Sequence, residues 1–239
     1  MTSSTPITTA HDYRAAGPHP AAALSGPARA AAATTLILGF ALHAASLLIL
    51  RIGQSGISVT HDGDVKTWLT WVAENPTLAG TSKTLDVLFV PFAVGSVVVF
   101  VLLGRTRSPR LAWVGGVLYA GGLVCLASME GYEAFAYMLA IDNVLEPQTL
   151  ADIYVGSSSM PYIAAQIIFL VGVFAGLNLT VVALWRSRAV PRVAAAGLLL
   201  FLVGELVGLR IEGHLIGLAA ATWIAIIVVR APRTAGTTG

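Results

Sequence analysis

The chain has 239 residues, 56% of them hydrophobic and 11% charged, with a formal net charge of +2. Soluble domains carry about 25% charged residues, so a wholly water-soluble globule is excluded. So small a charge excess, with no basic run interleaved with aromatics, also argues against a nucleic-acid partner.

Residues 1–29 are rich in Ala, Pro, Ser and Thr and show no apolar period. They read as a disordered cytoplasmic tail. Between Arg29 and Arg51 runs a 21-residue apolar stretch, Ala30–Leu50. Signal-peptide cores are about 7–15 residues, so a spanning helix fits better. About 20 helical residues cross the hydrocarbon of a bilayer. Five further stretches approach that length. They lie between Asp86 and Arg105, from Arg110 to Met129, over Pro161–Trp185, between Arg192 and Arg210, and over Gly213–Val229. The fold expected is all-α: a polytopic bundle of six spans over residues 30–230, with a short tail at 231–239. Cys125, the single cysteine, falls in the third span. It cannot form an intrachain disulfide and suits a small buried hydrophobe.

Lys and Arg set the orientation. Arg14, Arg29, Arg105, Arg107, Arg110, Arg186, Arg188, Arg192, Arg230 and Arg233 fall on one side, and Arg51, Lys66, Lys83 and Arg210 on the other. Both termini are therefore expected in the cytoplasm, with the protein in the plasma membrane. The acids, not used in that assignment, agree with it: of twelve, only Asp12 falls on the inner side. The first outer loop carries a short amphipathic helix. Val65, Trp68, Leu69 and Val72 share one face, Trp71 flanks it, Asp64 can cap its start and Pro76 ends it. A second such element follows Glu146-Pro147, with Leu150, Ile153 and Tyr154 on its apolar side. The two together would make a lid over the outer mouth, with tryptophans at headgroup depth.

Charges within spans demand a reason. His43 sits near the middle of the first span. Glu130, Glu133 and Tyr137 share a face at i, i+3 and i+7 if the third helix continues past Met129. Carboxylates so placed repel, and such groups serve as general acids or proton relays. Glu205 interrupts an otherwise uncharged span, with Arg210 and His214 as its nearest prospective partners. Gly204 and Gly208 form a small-xxx-small pair beside it. Asp86 stands at the mouth of span two, and Gln166 and Asn178 lie within span four. Glu212 and His214, two apart, do not share a helical face, and the chain has no HExxH, P-loop, GxSxG or CxxC pattern. No metal site and no cofactor is expected.

The arginine turns carry a resemblance. Gly104-Arg105-Thr106-Arg107-Ser108-Pro109-Arg110 and Leu184-Trp185-Arg186-Ser187-Arg188-Ala189-Val190-Pro191-Arg192, with the loop ending in Trp71-Val72-Ala73-Glu74-Asn75-Pro76, resemble turns in a broad set of six-helix integral membrane proteins of high-GC bacteria. The resemblance implies a fold and brings no activity or catalytic residue.

The reading that follows is a membrane protein with an acidic pocket in its outer half. Glu130, Glu133 and Glu205 are its prospective acid groups, and His43, Asp86, Tyr137, Arg210 and His214 its lining. It would bind a lipid, a small ligand or a proton. One alternative is a membrane enzyme using one of those carboxylates as general acid on an isoprenoid or lipid, similar in general layout to membrane-bound terpene cyclases. Another is a structural or partner-binding subunit, with Gly115, Gly116, Gly121 and Gly122 forming a lipid-facing groove. Oligomeric state is not legible.

Overall fold

The computed structural model describes residues 19–53, 65–156 and 160–232. Those residues form eight α-helices and no strand: α1 Gly26–Gly53, α2 Val65–Glu74, α3 Pro76–Gly104, α4 Pro109–Ile141, α5 Pro147–Gly156, α6 Met160–Ser187, α7 Arg192–Leu206 and α8 Arg210–Arg230. Five of them, α1, α3, α4, α6 and α8, are long and apolar enough to cross a membrane. Asp64, the expected cap of α2, lies outside the described residues, as do Asp12, Arg14 and Arg233.

The helix boundaries follow from local chemistry. Proline opens α3, α4 and α5, at the first turn, where its missing N–H has no partner to lose. Three helices end on residues with positive φ, α6 at Arg188 (φ 55°) among them. Asn143 (φ 49°) follows α4, where the Val144 N–H bonds the Leu139 carbonyl. Gly208 (φ 80°) follows α7, where the Leu209 N–H bonds the Gly204 carbonyl at 2.8 Å. The closures after α4 and α7 are Schellman motifs. Gly208 is thus a turn residue with nothing near its Cβ position, and not half of a packing pair. The close approach falls instead between Gly204 and Gly213, where a Cβ on Gly204 would lie 2.8 Å from the Gly213 Cα.

Two spans are longer than the apolar runs suggest. α3 starts at Pro76, ten residues before Asp86, and so takes in Lys83. α4 runs on past Met129 through Glu130, Glu133 and Tyr137 to Ile141. At 33 residues, α4 is about 50 Å long, well beyond the ~30 Å hydrocarbon core. Its last turns support α2 and α5. In contrast α7 has 15 residues and covers only about 22 Å. At the other end α1 begins at Gly26, preceded by a 3-10 turn at Pro20–Ala23, so ordered structure starts ahead of Ala30.

α1 packs between α3 and α8, α8 carries α7, and α4 packs between α3 and α6. Small residues set the tightest contacts. A Cβ on Gly115 would lie 2.7 Å from the Thr180 N, one on Gly122 2.9 Å from the Val173 N, and one on Gly176 2.4 Å from the Tyr119 N. Gly115 and Gly122 therefore close the α4–α6 seam, and Gly116 faces Val101 of α3. Of the four glycines expected to form a lipid-facing groove, only Gly121 meets open space. Cys125 is half-buried. The α1–α3 seam is polar at intervals: Ser96 Oγ donates to the Thr35 carbonyl at 2.7 Å, and Ser46 Oγ meets Ser82 Oγ at 2.8 Å.

α2 and α5 close one end of the bundle. Leu69, Val72 and Trp71 are buried there with Tyr137, Ala140, Leu150 and Ala151. The Trp71 indole N–H donates to the Gly53 carbonyl at 3.0 Å, so this tryptophan is folded onto the bundle. On α5, Leu150 is buried and Tyr154 half-buried on the expected apolar side, but Ile153 is exposed and Ala151 takes the buried place. The opposite end carries Arg29, Arg105, Arg107, Arg110, Arg186, Arg188, Arg192 and Arg230.

Candidate functional site

Ala79, Ser82, Lys83, Asp86, Phe89 and Val90 recur at helical spacing and form the buried face of α3. That face brings Lys83, only 6% exposed, against α4. Lys83 Nζ donates to Glu130 Oε2 at 2.7 Å and to Glu133 Oε2 at 2.8 Å. It also lies 3.9 Å from Asp86 Oδ2, and 5.2 Å from the centroid of the Tyr137 ring, over its face. The Tyr154 hydroxyl reaches Glu133 Oε1 at 3.5 Å. The sequence reading counted Lys83 only as a loop charge. The i, i+3 pair Lys83–Asp86, on a face already marked by Ala79, Ser82 and Phe89, was the signal available.

The string continues across α1 and α8. Asp86 Oδ1 lies 2.8 Å from His43 Nδ1. The His43 and His214 rings are tilted against each other with centroids 4.5 Å apart. His214 Nδ1 bonds the Arg210 carbonyl at 2.8 Å. A carbonyl oxygen only accepts, so this nitrogen carries a hydrogen. The same Nδ1 lies 2.9 Å from Glu205 Oε1, yet that oxygen is buried and makes no hydrogen bond among the described residues. The contact is thus electrostatic, and it leaves a carboxyl oxygen with unused valence at the inner end of the string. The guanidinium of Arg210 is exposed; this residue takes part through its backbone.

Aromatic side chains bound the string on both sides. Phe89 packs on His43 at 4.7 Å and Phe201 on His214 at 4.9 Å, and Phe40 backs Phe201 at 5.3 Å. Above Lys83, Trp68 meets Tyr137 at 5.3 Å and Tyr154 at 5.5 Å, and Tyr132 stacks on Tyr154.

Helical rise gives the depth of each group. Counted at 1.5 Å per residue from the arginine end of its own helix, Glu130 stands about 30 Å up, His214 about 24 Å, His43 about 21 Å and Glu205 about 20 Å. The ionisable groups thus descend from under the lid to the middle of the bundle. The half below them is lined by buried apolar residues such as Leu36, Phe100, Leu177, Leu198 and Ile224.

Of the residues marked in the sequence, His43, Asp86, Glu130, Glu133, Glu205 and His214 fall in this string and Tyr137 walls it. Asn178 is exposed and bonds its own helix at the Phe174 carbonyl, not a neighbouring one. Three carboxylates, Asp86, Glu130 and Glu133, face the one ammonium of Lys83, and a fourth, Glu205, adjoins only His214. Burying unbalanced charge is costly, so the string is suited to holding protons on its histidines and acids. Among the described residues no three His, Cys, Asp or Glu side chains are grouped so as to hold a metal ion. No protein-family model, curated protein or solved structure matches this chain.

Proposed function

We propose that this protein is a six-span plasma-membrane protein that takes up protons from its outer face and holds them along Glu133/Glu130, Lys83, Asp86, His43, His214 and Glu205. The observation that carries the reading is the contact between ionisable groups of five helices, with links of 2.7 Å (Lys83–Glu130), 2.8 Å (Lys83–Glu133) and 2.8 Å (His43–Asp86), and the His43–His214 ring contact. Neutral hydrogen bonds suffice to join helices in lipid; ionisable groups in a span are expensive and mark proton or substrate paths. The apolar lower half supports a proton-binding half-path over a continuous pore.

Arginine asymmetry supports placing both termini in the cytoplasm. The sixth span in this reading is α7, short because the Schellman turn stops it. Leu206, Val207 and Leu209 at that turn are exposed and apolar, which suits a turn held below the headgroups in a locally thinned bilayer.

An infrared pH titration of the purified protein tests the proton reading. A protonated carboxyl band that responds to pH is expected, and it should change in Asp86→Asn and Glu205→Gln. A spectrum without such a band, or one indifferent to both substitutions, overturns the proposal.

One observation favours a second reading. The Oε1 of Glu205 makes no hydrogen bond among the described residues, which favours a role for this carboxyl as general acid on an isoprenoid or other lipid. Incubation with membrane lipid extracts, read by mass spectrometry, would then show a product that Glu205→Gln does not form.

A further inference from the structure

The arginine end holds a second feature. Arg29 is 6% exposed, and no carboxylate lies within ion-pair distance of it among the described residues. Its Nε donates to the Leu24 carbonyl at 3.1 Å, one terminal nitrogen to the Ala22 carbonyl at 3.1 Å, and the other to the Ala231 carbonyl. Three of the five guanidinium N–H groups are thereby used and two remain. Beside it opens a cavity of about 340 Å³ lined by Gly26, Arg29, Ala30, Val229 and Ala231. The positive end of the α1 dipole meets this cavity at Gly26, and Arg230 adjoins its wall. At the end of α8 the Ala231 carbonyl is already bonded by Arg29. Every carboxylate of the described residues lies in the other half of the bundle. A buried cation is stable only with a counter-charge or full hydrogen bonding, and basic clefts between spans are suited to acidic lipid headgroups.

We propose that the cleft between the start of α1 and the end of α8 binds the phosphate of an anionic phospholipid, with the two remaining Arg29 N–H groups as donors and the acyl chains lying along the exposed faces of α1 and α8. The exposed residues Ile37, Trp223, Ile226 and Val229 supply that apolar surface.

The test uses delipidated full-length protein in detergent, with thermal unfolding and native mass spectrometry as readouts. Phosphatidylglycerol is expected to raise the melting temperature and to remain bound, whereas phosphatidylcholine and millimolar inorganic phosphate do neither. Arg29→Gln should weaken half-saturation by roughly tenfold or more. Because Arg29 also holds carbonyls, a second variant is needed. Ala30→Phe fills the cleft from an exposed position, leaves the Arg29 bonds in place, and should lose the phosphatidylglycerol response while still folding. An undiminished response in Ala30→Phe overturns the proposal, and so does an equal effect of inorganic phosphate. A response that emerges only in Asp12→Asn would overturn it too, by assigning the cleft to the chain's own carboxylate.

Discussion

The imidazoles of His43 and His214 lie 4.5 Å apart, and each adjoins a carboxylate from a different helix, Asp86 of α3 for one and Glu205 of α7 for the other. This pair is where the two halves of the string meet. α1 and α3 supply one side, α7 and α8 the other. Groups in contact couple by about 0.5–3 kcal/mol in double-mutant cycles. The cycle His43→Gln, His214→Gln and the double variant, read by unfolding in mixed micelles, is expected to show coupling in that range. Strict additivity would mean that the rings are neighbours without consequence.

Lys83 is the second test. Removing one partner of a buried ionic group costs about 3–5 kcal/mol, because the others are left unpaired. Lys83→Met strands Glu130, Glu133 and Asp86, so a loss of that order is expected. Lys83→Met combined with Glu130→Gln and Glu133→Gln removes most of the stranded charge and should recover much of it. Equal instability of the single and triple variants would show that stranded carboxylates are not the source of the loss.

These two tests fall on residues that the sequence revealed unequally. Glu130, Glu133 and Tyr137 were legible because i, i+3, i+7 spacing fixes a shared face once the helix continues. Glu205 was legible because an acid in an apolar run has to be accommodated. Lys83 was not, because the apolar run of α3 begins after Asp86 and hydropathy ends the helix there. The Pro76 start, ten residues earlier, depends on packing against α1 and α4. The helix-packing glycines were misassigned for a related reason. Gly115, Gly116 and Gly122 look alike along the chain, and only the placement of α6 and α3 decides that they are covered. Gly204 and Gly208 have the spacing of a packing pair, but a Schellman turn uses Gly208 for its positive φ.

The α4–α6 seam gives a paired prediction. A methyl group on Gly176 would lie 2.4 Å from backbone of Tyr119, whereas one on Gly121 meets nothing within 4 Å. Backbone cannot yield as a flexible side chain does, so Gly176→Ala should force the helices apart at a cost of about 1–3 kcal/mol. Gly121→Ala should be neutral or gain about 0.5–1 kcal/mol from the lower entropy of alanine. Matching melting temperatures for the two variants would contradict the seam.

The lid yields a readout of access. Trp68 bridges Tyr137 and Tyr154 at 5.3 and 5.5 Å, and the Tyr137 ring is the one that Lys83 lies over. Each aromatic contact contributes about 0.5–1.5 kcal/mol beyond its buried area. Trp68→Ala should loosen α2 and α5 and raise the rate at which a water-soluble amine reagent labels Lys83, with global unfolding little changed. Labelling at the parental rate would show that α2 does not control entry to the string.

Orientation is the last expectation, and it bears on α7. α1 starts and α8 ends at the arginine end of the bundle, so both share one side whether or not α7 reaches the far surface. Arginines crowd the end that holds Arg29, Arg186, Arg192 and Arg230, and the positive-inside rule predicts that end to be cytoplasmic. On that expectation the turn after α7 faces the exterior, although α7 covers only about 22 Å. The apolar exposure of Leu206 and Val207 allows the turn to sit in thinned lipid, so an impermeant reagent should reach it slowly. In a Cys125→Ser background, Val207→Cys is expected to react from outside intact cells more slowly than Thr77→Cys at the exposed start of α3, and tags on both ends should resist external protease. Cleavage of either tag from outside would reverse the arrangement and remove the external source of protons that the proposed uptake requires.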